Sequence, residues 1–148
     1  MTVLTPDMCR LVETELGFVA TVCADGTPNL SPKGTIAPWD GDHLVFADIR
    51  SPGTVENLRA NPSIEVNVVD QLVRKGYRFK GTAVVHTEGA VFERGVSFYE
   101  ARGTVRARER IRSIVIIAVE HASAVTSPAY DLGATEDELR AQYRQRLL

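Results

Sequence analysis

Tight-turn signals that recur at short intervals restrict this chain more than any other feature. Asp25-Gly26, Asp40-Gly41-Asp42 and Thr87-Glu88-Gly89 each follow a β-forming run. Asp-Gly pairs are strong hairpin signals, because glycine readily adopts the positive φ that such turns need. Strands joined by short links pair antiparallel, since parallel strands need a long crossover. The sequence therefore predicts an antiparallel β fold.

The runs between these turns predict an order of elements. We expect six strands, at 18–23, 29–36, 43–47, 64–69, 77–86 and 111–119. Helices are expected from Pro6, from Pro52, around 91–99 and from Thr135 to about Leu147, where capping residues and proline mark the starts. Six strands at this spacing are better closed into a small barrel than left with open edges.

The chain length predicts one domain, because 148 residues suffice for one core and are few for two. We expect a single domain over 1–148, with an N-terminal helix in 1–16, a barrel in 17–125 and a C-terminal tail and helix in 126–148.

Charge and residue spacing exclude several functional classes. Seventeen basic and nineteen acidic residues leave a net charge of −2, which supports neither nucleic-acid binding nor a polybasic membrane surface. The three histidines share no metal-ligand spacing, and neither GxGxxG nor a P-loop motif occurs. We see no charged leader and no apolar run approaching about 20 residues. We expect a cytoplasmic protein with reduced cysteines, no metal site and no membrane segment.

The segment from Arg50 to Thr54, between a strand and a helix, carries the first candidate site. Ser51 suits a helix N-cap and Pro52 the first helical position, so capping alone explains both. Gly53 is different, because glycine at the second helical position costs roughly 1 kcal/mol relative to alanine. A helix N-terminus presents unpaired N–H groups that a phosphate satisfies. Arg50 and two hydroxyls lie beside this helix start. The segment is equally consistent with an anion site and with a plain capped turn.

A second candidate lies in the predicted second strand, which Pro32, Lys33 and Gly34 interrupt. Proline in a sheet is confined to edges and bulges, and glycine there often permits close approach of a ligand to the backbone. A lysine in a barrel strand is either a surface residue with its charge in water or a charge placed for a purpose. The flanking Pro32 and Gly34 make the second interpretation of Lys33 worth testing.

Together, these segments resemble the pyridoxamine-phosphate-oxidase-like family of FMN-binding split barrels, over roughly residues 5–125. The resemblance rests on the stretches FVATVCADGTPNLSPKGT, LVFADIRSPGTVENLRANP and YRFKGTAVVHTEG. It implies a mainly β (α+β) fold, a six-stranded antiparallel split β-barrel with peripheral helices. It also implies a homodimer with FMN sites at the subunit interface. In length the chain is similar to the small bacterial FMN-binding proteins of the family.

The resemblance assigns expected roles residue by residue. The flavin ring is expected beside Ser31, Pro32 and Lys33, where Lys33 or the backbone N–H groups beside it would stabilise negative charge on the reduced ring. The ring and the ribityl chain are expected beside Ala47, Asp48 and Ile49. The phosphate is expected at Arg50, Ser51 and Thr54, with the bare backbone of Gly53 at the same helix start. Asn57 matches a recurring polar residue of the short helix, and its alternative role is an exposed helix residue.

Two features depart from the family pattern. Many relatives have a basic residue where this chain has Gly53. The vitamin B6 oxidase also has a late Arg-x-His pair for its substrate, and none of His43, His86 or His121 follows an arginine at that spacing.

Three functions remain open at the level of sequence. The first is an FMN-dependent oxidoreductase acting on a small molecule, and the second is an FMN-binding or electron-transfer protein without turnover of its own. The third is a family member that binds a deazaflavin. The arginine-rich segment, with Arg102, Arg106, Arg108, Arg110 and Arg112, is either a solvated loop or a surface that captures an anionic substrate or a deazaflavin tail.

Overall fold

The computed structural model describes residues 2–105 and 108–148. Seven strands form one sheet, in the order β2-β1-β5-β6-β7-β4-β3. The strands are β1 Gly17–Val22, β2 Pro28–Lys33, β3 Ala37–Pro38, β4 His43–Asp48, β5 Ser63–Asp70, β6 Lys75–His86 and β7 Ser113–Thr126. The helices are α1 Pro6–Thr14, α2 Pro52–Ala60, α3 Ala90–Arg102 and α4 Glu136–Leu147, with short 3-10 turns at Arg108–Arg110 and Pro128–Leu132.

All neighbouring strands pair antiparallel, which confirms the pairing expected from the tight turns. The expected count of six strands was one too low. The run at 29–36 ends as a strand at Lys33, turns at Gly34-Thr35, and resumes as the two-residue strand β3. β3 then pairs with β4 instead of with β1, so the break moves the chain to the opposite edge of the sheet.

The starts of α1 and α4 follow the capping chemistry that the sequence predicts. Thr5 accepts a hydrogen bond from the Met8 amide and begins α1, with Pro6 in the first turn. Thr135 accepts from the Glu138 amide, and the Glu138 side chain binds back to the Thr135 amide, which completes a capping box at α4. α3 ends at Gly103, whose φ of 67° is one that glycine adopts without strain.

Two groups of buried side chains hold the fold together. The larger group joins α1 and α2 to the inner face of the sheet and includes Leu11, Val19, Phe46, Leu58 and Phe79. The smaller group joins β4 and β7 to α3; its buried members are Ala37, Val45, Ala47, Val96, Tyr99, Val105, Ile111 and Ile114. Residues of β4 contribute alternately to the two groups, so this strand is covered on both faces.

A β-bulge interrupts the pairing of β6 with β7. Lys80 pairs with His121 and Gly81 with Val119, so Glu120 is the extra residue. Gly81 lies so close to β7 that a Cβ atom added to it would be 1.9 Å from the carbonyl oxygen of Ala118. Glycine is therefore required at this point by the approach of the two backbones.

Within the described ranges, no helix has both the length and the apolar character of a membrane span. In the same residues, no three His, Cys, Asp or Glu side chains are grouped so that they could hold a metal ion.

Candidate functional site

The start of α2 is the centre of the candidate site. β4 ends at Asp48, and Pro52 begins α2 after a three-residue link. Ser51 occupies the N-cap position, as predicted, but its side chain makes no capping hydrogen bond. Its φ of −135° and ψ of 58° differ from the extended backbone usual at an N-cap. The Ser51 hydroxyl is engaged elsewhere, so it does not occupy the amides of the first turn.

That hydroxyl accepts a hydrogen bond from the ammonium group of Lys33, at the end of β2. Lys33 is only 8% exposed, so most of its side chain is buried. Burial lowers the pKa of Lys33, and the nearby charge of Asp48 raises that pKa in partial compensation. In the part of the chain that the structure describes, no carboxylate lies within ion-pair distance of Lys33. The site thus holds a buried cation next to a positively polarised helix end.

Asp48 lies on the other side of Ser51 and is 4% exposed. Its Oδ1 atom accepts a hydrogen bond of 2.8 Å from the Ser51 amide, and its Oδ2 atom accepts one of 3.4 Å from the Ser113 hydroxyl. The Asp48 carbonyl accepts from the Arg112 amide at 2.9 Å. Asp48 is therefore bound within the protein on both carboxylate oxygens.

Ser31 precedes Lys33 by two residues, so the two side chains leave β2 on the same face. The Ser31 hydroxyl oxygen is buried and has no hydrogen-bond partner among the described residues. Buried hydroxyls in native proteins nearly always have a partner, and an unsatisfied one calls for a water molecule or a ligand. Ser31 therefore supports a polar ligand on the Lys33 side of β2.

Gly53, in the first turn of α2, is exposed. A Cβ atom added to Gly53 would meet nothing within 4 Å, and its φ lies outside the left-handed region. Neither the backbone conformation nor a contact within the chain requires glycine here. The bare backbone leaves the helix start accessible, which is the property that an anion site needs.

The remaining predicted residues are hydrogen-bonded to neighbouring parts of the fold, buried, or exposed. Ala47 is buried, and its backbone N–H and C=O both bind the Thr35 hydroxyl, at 3.1 and 3.2 Å. Asn57 donates to the Thr21 hydroxyl at 3.1 Å and so ties α2 to β1. Thr54 is buried, Ile49 packs against the smaller core group, and Pro32 and Arg50 are exposed.

The structure thus brings Lys33 and Asp48 together around Ser51, with Ser31 on the same strand face as Lys33. It leaves Pro32 exposed, on the opposite face of β2 from Lys33. The family resemblance places Lys33 at the flavin ring and Ser51 at the phosphate, whereas here the two side chains are hydrogen-bonded to each other.

Sequence reasoning missed Ser113, Thr35 and Thr21, which support the site residues. Ser113 had a weak signal, as the polar residue directly before the apolar run from Ile114 to Val119. Its importance depends on the register that pairs it with Asp48, and that register is a property of the assembled sheet.

A cleft of about 390 Å³ runs along α2 and touches Asp48, but Lys33 and Ser51 do not line it. It is lined by Asp48, Pro52, Val55, Glu56, Arg59, Thr87, Arg112 and Ser113. Arg112 is the one member of the arginine-rich segment among these lining residues. Of the others, Arg102 and Arg108 form ion pairs with Glu13 and Glu93, and Arg110 is exposed. Arg106 lies outside the described residues.

Comparison with known proteins places these features in a family. The sequence model described as Pyridoxamine 5'-phosphate oxidase matches residues 8–126. An uncharacterised protein from Methanocaldococcus jannaschii is 31% identical over 88 residues, which are 58% of this chain and 58% of that protein. The match therefore spans a little over half the length of that curated relative.

Solved structures agree with the sequence match. HupZ from Group A Streptococcus is 32% identical, with a TM-score of 0.73 over 84% of this chain and 98% of that chain. An FMN-binding protein from Syntrophomonas wolfei is 13% identical, with a TM-score of 0.66 over 82% of this chain and 86% of that chain. The second likeness concerns the fold alone, and with the observed sheet it confirms the expected split-barrel class. This chain belongs to the pyridoxamine 5'-phosphate oxidase family.

Proposed function

We propose that this protein binds FMN, with the flavin phosphate held at the start of α2 by Lys33, Ser51 and the amides of the first helical turn. The observation that carries the proposal is the buried side chain of Lys33, whose ammonium group has a hydroxyl partner and no carboxylate at ion-pair distance among residues 2–105 and 108–148. A buried charge is costly when its compensating charge, here that of Asp48, lies beyond ion-pair distance. An anion that enters between Lys33 and the helix end offsets that cost.

A phosphate ester fits this site better than a carboxylate does. It carries more charge and more acceptor oxygens, and so can bind the ammonium, the Ser51 hydroxyl and helix amides together. The rest of a nucleotide would extend past the unpartnered hydroxyl of Ser31 and the exposed backbone at Gly53. Family membership supports a flavin as that nucleotide.

Bound FMN would supply the redox chemistry, and the protein residues would hold and orient it. Lys33 keeps a positive charge in a poorly solvated position, which strengthens its attraction for an anionic group. Asn57 fixes α2 against β1 through Thr21, so the amides of the first turn are held in place before the ligand arrives. We propose an oxidoreductase acting on a small molecule as the activity that these features serve.

The cofactor and the anion site are tested together by titrating purified, ligand-free protein with FMN and with riboflavin. Riboflavin has the same ring but no phosphate, so we expect FMN to bind at least about 30-fold more tightly, equivalent to roughly 2 kcal/mol. Equal affinity for the two compounds would mean that the phosphate is not held as proposed. Tight binding of a deazaflavin without binding of FMN would favour the deazaflavin alternative. Bound FMN without turnover of any small substrate would favour the electron-transfer alternative.

Replacing Gly53 with alanine is expected to stabilise the ligand-free protein and weaken FMN binding. The added methyl group meets no atom of this chain and improves helix propensity, so unfolding should cost about 0.5–1 kcal/mol more. The same methyl group stands at the helix start, where we expect the affinity for FMN to fall on the order of 10-fold. Urea denaturation and flavin titration measure the two effects, and riboflavin serves as the control. Unchanged FMN affinity would mean that the phosphate does not bind next to Gly53.

We also propose that the protein is a homodimer that uses the outer face of β1 and β2. Phe18 is 40% exposed and Leu30 is 66% exposed, and both lie on this face. Exposed apolar side chains that are adjacent in a sheet are typical of interaction surfaces. Strand β2 is also an edge strand, with one side unpaired.

Replacing Leu30 with glutamate is expected to convert the dimer to a monomer, because the interface would have to bury a charge. Light scattering coupled to gel filtration over a wide range of protein concentration measures the mass. Leu132→Glu is the control, since Leu132 is 91% exposed and lies outside this face. A wild-type protein that is monomeric throughout would contradict the proposal.

A further inference from the structure

The hydrogen bonds of Asp48 explain why the hydroxyl of Ser51 is available to Lys33. An N-cap serine normally uses its side-chain oxygen to accept from an amide of the first helical turn. Here, the Asp48 carboxylate accepts from the Ser51 amide at 2.8 Å, and the Ser51 hydroxyl binds Lys33 instead. The residue that orients the turn is therefore three positions before the residue at the cap.

We propose that Asp48 is a positioning residue: its carboxylate fixes the Ser51 backbone, which directs the Ser51 hydroxyl to Lys33, and it supplies a negative charge near that lysine beside the start of α2. Both carboxylate oxygens of Asp48 accept hydrogen bonds within the protein, from Ser51 and Ser113, and these contacts support a positioning role. This role differs from the direct flavin contact that the family resemblance implies for Asp48.

A carboxylate at this position has an electrostatic cost and a compensating benefit. Its negative charge repels an incoming phosphate, so an asparagine with the same shape would be better for anion binding if only the ligand mattered. Its charge also raises the pKa of Lys33, whereas burial lowers that pKa. An acidic residue is the better choice if the main requirement is that a buried lysine keep its proton.

The substitution Asp48→Asn separates these effects, because the asparagine oxygen can still accept from the Ser51 amide. With the negative charge removed, Lys33 should lose its proton at a lower pH than in the wild type. Below that pH, Lys33 is protonated in both proteins, and the variant should bind FMN equally well or more tightly because a repulsive charge is gone. Above it, the variant should bind more weakly, on the order of 10-fold for each unit by which the Lys33 pKa falls. The affinity of the variant relative to the wild type is therefore expected to fall as the pH rises.

Two measurements test the proposal. The first follows the Lys33 side-chain resonance of ligand-free protein by NMR, from roughly pH 7 to pH 11. The second follows FMN affinity over the same range for the wild type, Asp48→Asn and Ser113→Ala. Ser113→Ala removes a neutral partner of Asp48 and should leave the Lys33 titration nearly unchanged. If Asp48 affected stability alone, the substitutions would change neither the pH at which Lys33 titrates nor the pH at which FMN affinity falls.

The proposal rests on the proposed phosphate site, but the two can fail separately. If the wild type binds no FMN, the proposed function fails, while the NMR titration of Lys33 still reports on Asp48. If FMN binds and Asp48→Asn changes neither the Lys33 titration nor the pH dependence of affinity, the positioning role of Asp48 is wrong. If Asp48→Asn does not fold, the same titration is carried out on Asp48→Glu. Lys33 must then be protonated at the pH values where it is protonated in the wild type, and a neutral Lys33 there would overturn the proposal.

Discussion

Lys33→Met is expected to reduce FMN affinity by at least about 30-fold, or roughly 2 kcal/mol, without lowering the stability of the ligand-free protein. Methionine has a similar length and no charge, so it fills the space of a side chain that is 8% exposed. The charge of Lys33 is unfavourable to folding in the absence of an anion, because burial lowers its pKa relative to the unfolded chain. That penalty applies while the folded protein keeps Lys33 protonated, and it diminishes as the pH rises past the lowered pKa.

Flavin titration measures the change in FMN affinity, and urea denaturation of the same preparation measures the stability of the ligand-free protein. Lys80→Met is the matched control, because Lys80 is an exposed lysine on β6, which is separated from β2 by β1 and β5 in the sheet. Riboflavin affinity identifies the part of the ligand that Lys33 contacts. If only FMN binding weakens, Lys33 acts on the phosphate, and if both compounds lose affinity, it acts on the ring. A variant that is less stable and binds FMN normally would contradict the assignment of Lys33 to an anion site.

Gly81→Ala is expected to lower the free energy of unfolding by about 3 kcal/mol or more, because the new methyl group has no space. Its Cβ atom would be 1.9 Å from the carbonyl oxygen of Ala118, and the neighbouring contacts are also backbone atoms. A flexible side chain could move aside, but a backbone within the β6–β7 ladder moves only if pairing is disrupted. For a chain of this length the corresponding fall in melting temperature is roughly 6–12 °C.

Thermal and urea denaturation of Gly81→Ala check this expectation directly. Gly34→Ala provides the control, since a Cβ atom at Gly34 meets nothing within 4 Å. If Gly81→Ala unfolds with the same midpoint as the wild type, the two strands do not approach as closely at the bulge as described. This result would be independent of any ligand, so it tests the fold separately from the proposed function.

These two positions show the limits of sequence reasoning in different ways. Lys33 was recognisable, because a lysine between proline and glycine in a β-rich run is unusual. Its burial and its bond to Ser51 were not, because they depend on how β2 meets α2 across 18 residues of chain. The need for glycine at position 81 arises from a bulge in the opposite strand, and no local pattern near residue 81 reports it.

The helices and the antiparallel strands follow from local chemistry, which a sequence displays directly. Thr5 and Thr135 carry their capping partners within three residues, and Asp25-Gly26 forms its turn without help from distant parts of the chain. Three-dimensional packing decided what local chemistry leaves open. The break after Lys33 sends β3 to the far edge of the sheet, and the pairing of β4 with β7 brings Ser113 to Asp48. Charges and hydroxyls far apart in the chain acquire their hydrogen bonds and their burial only when the strands are in register, so the proposed anion site depends on the folded sheet.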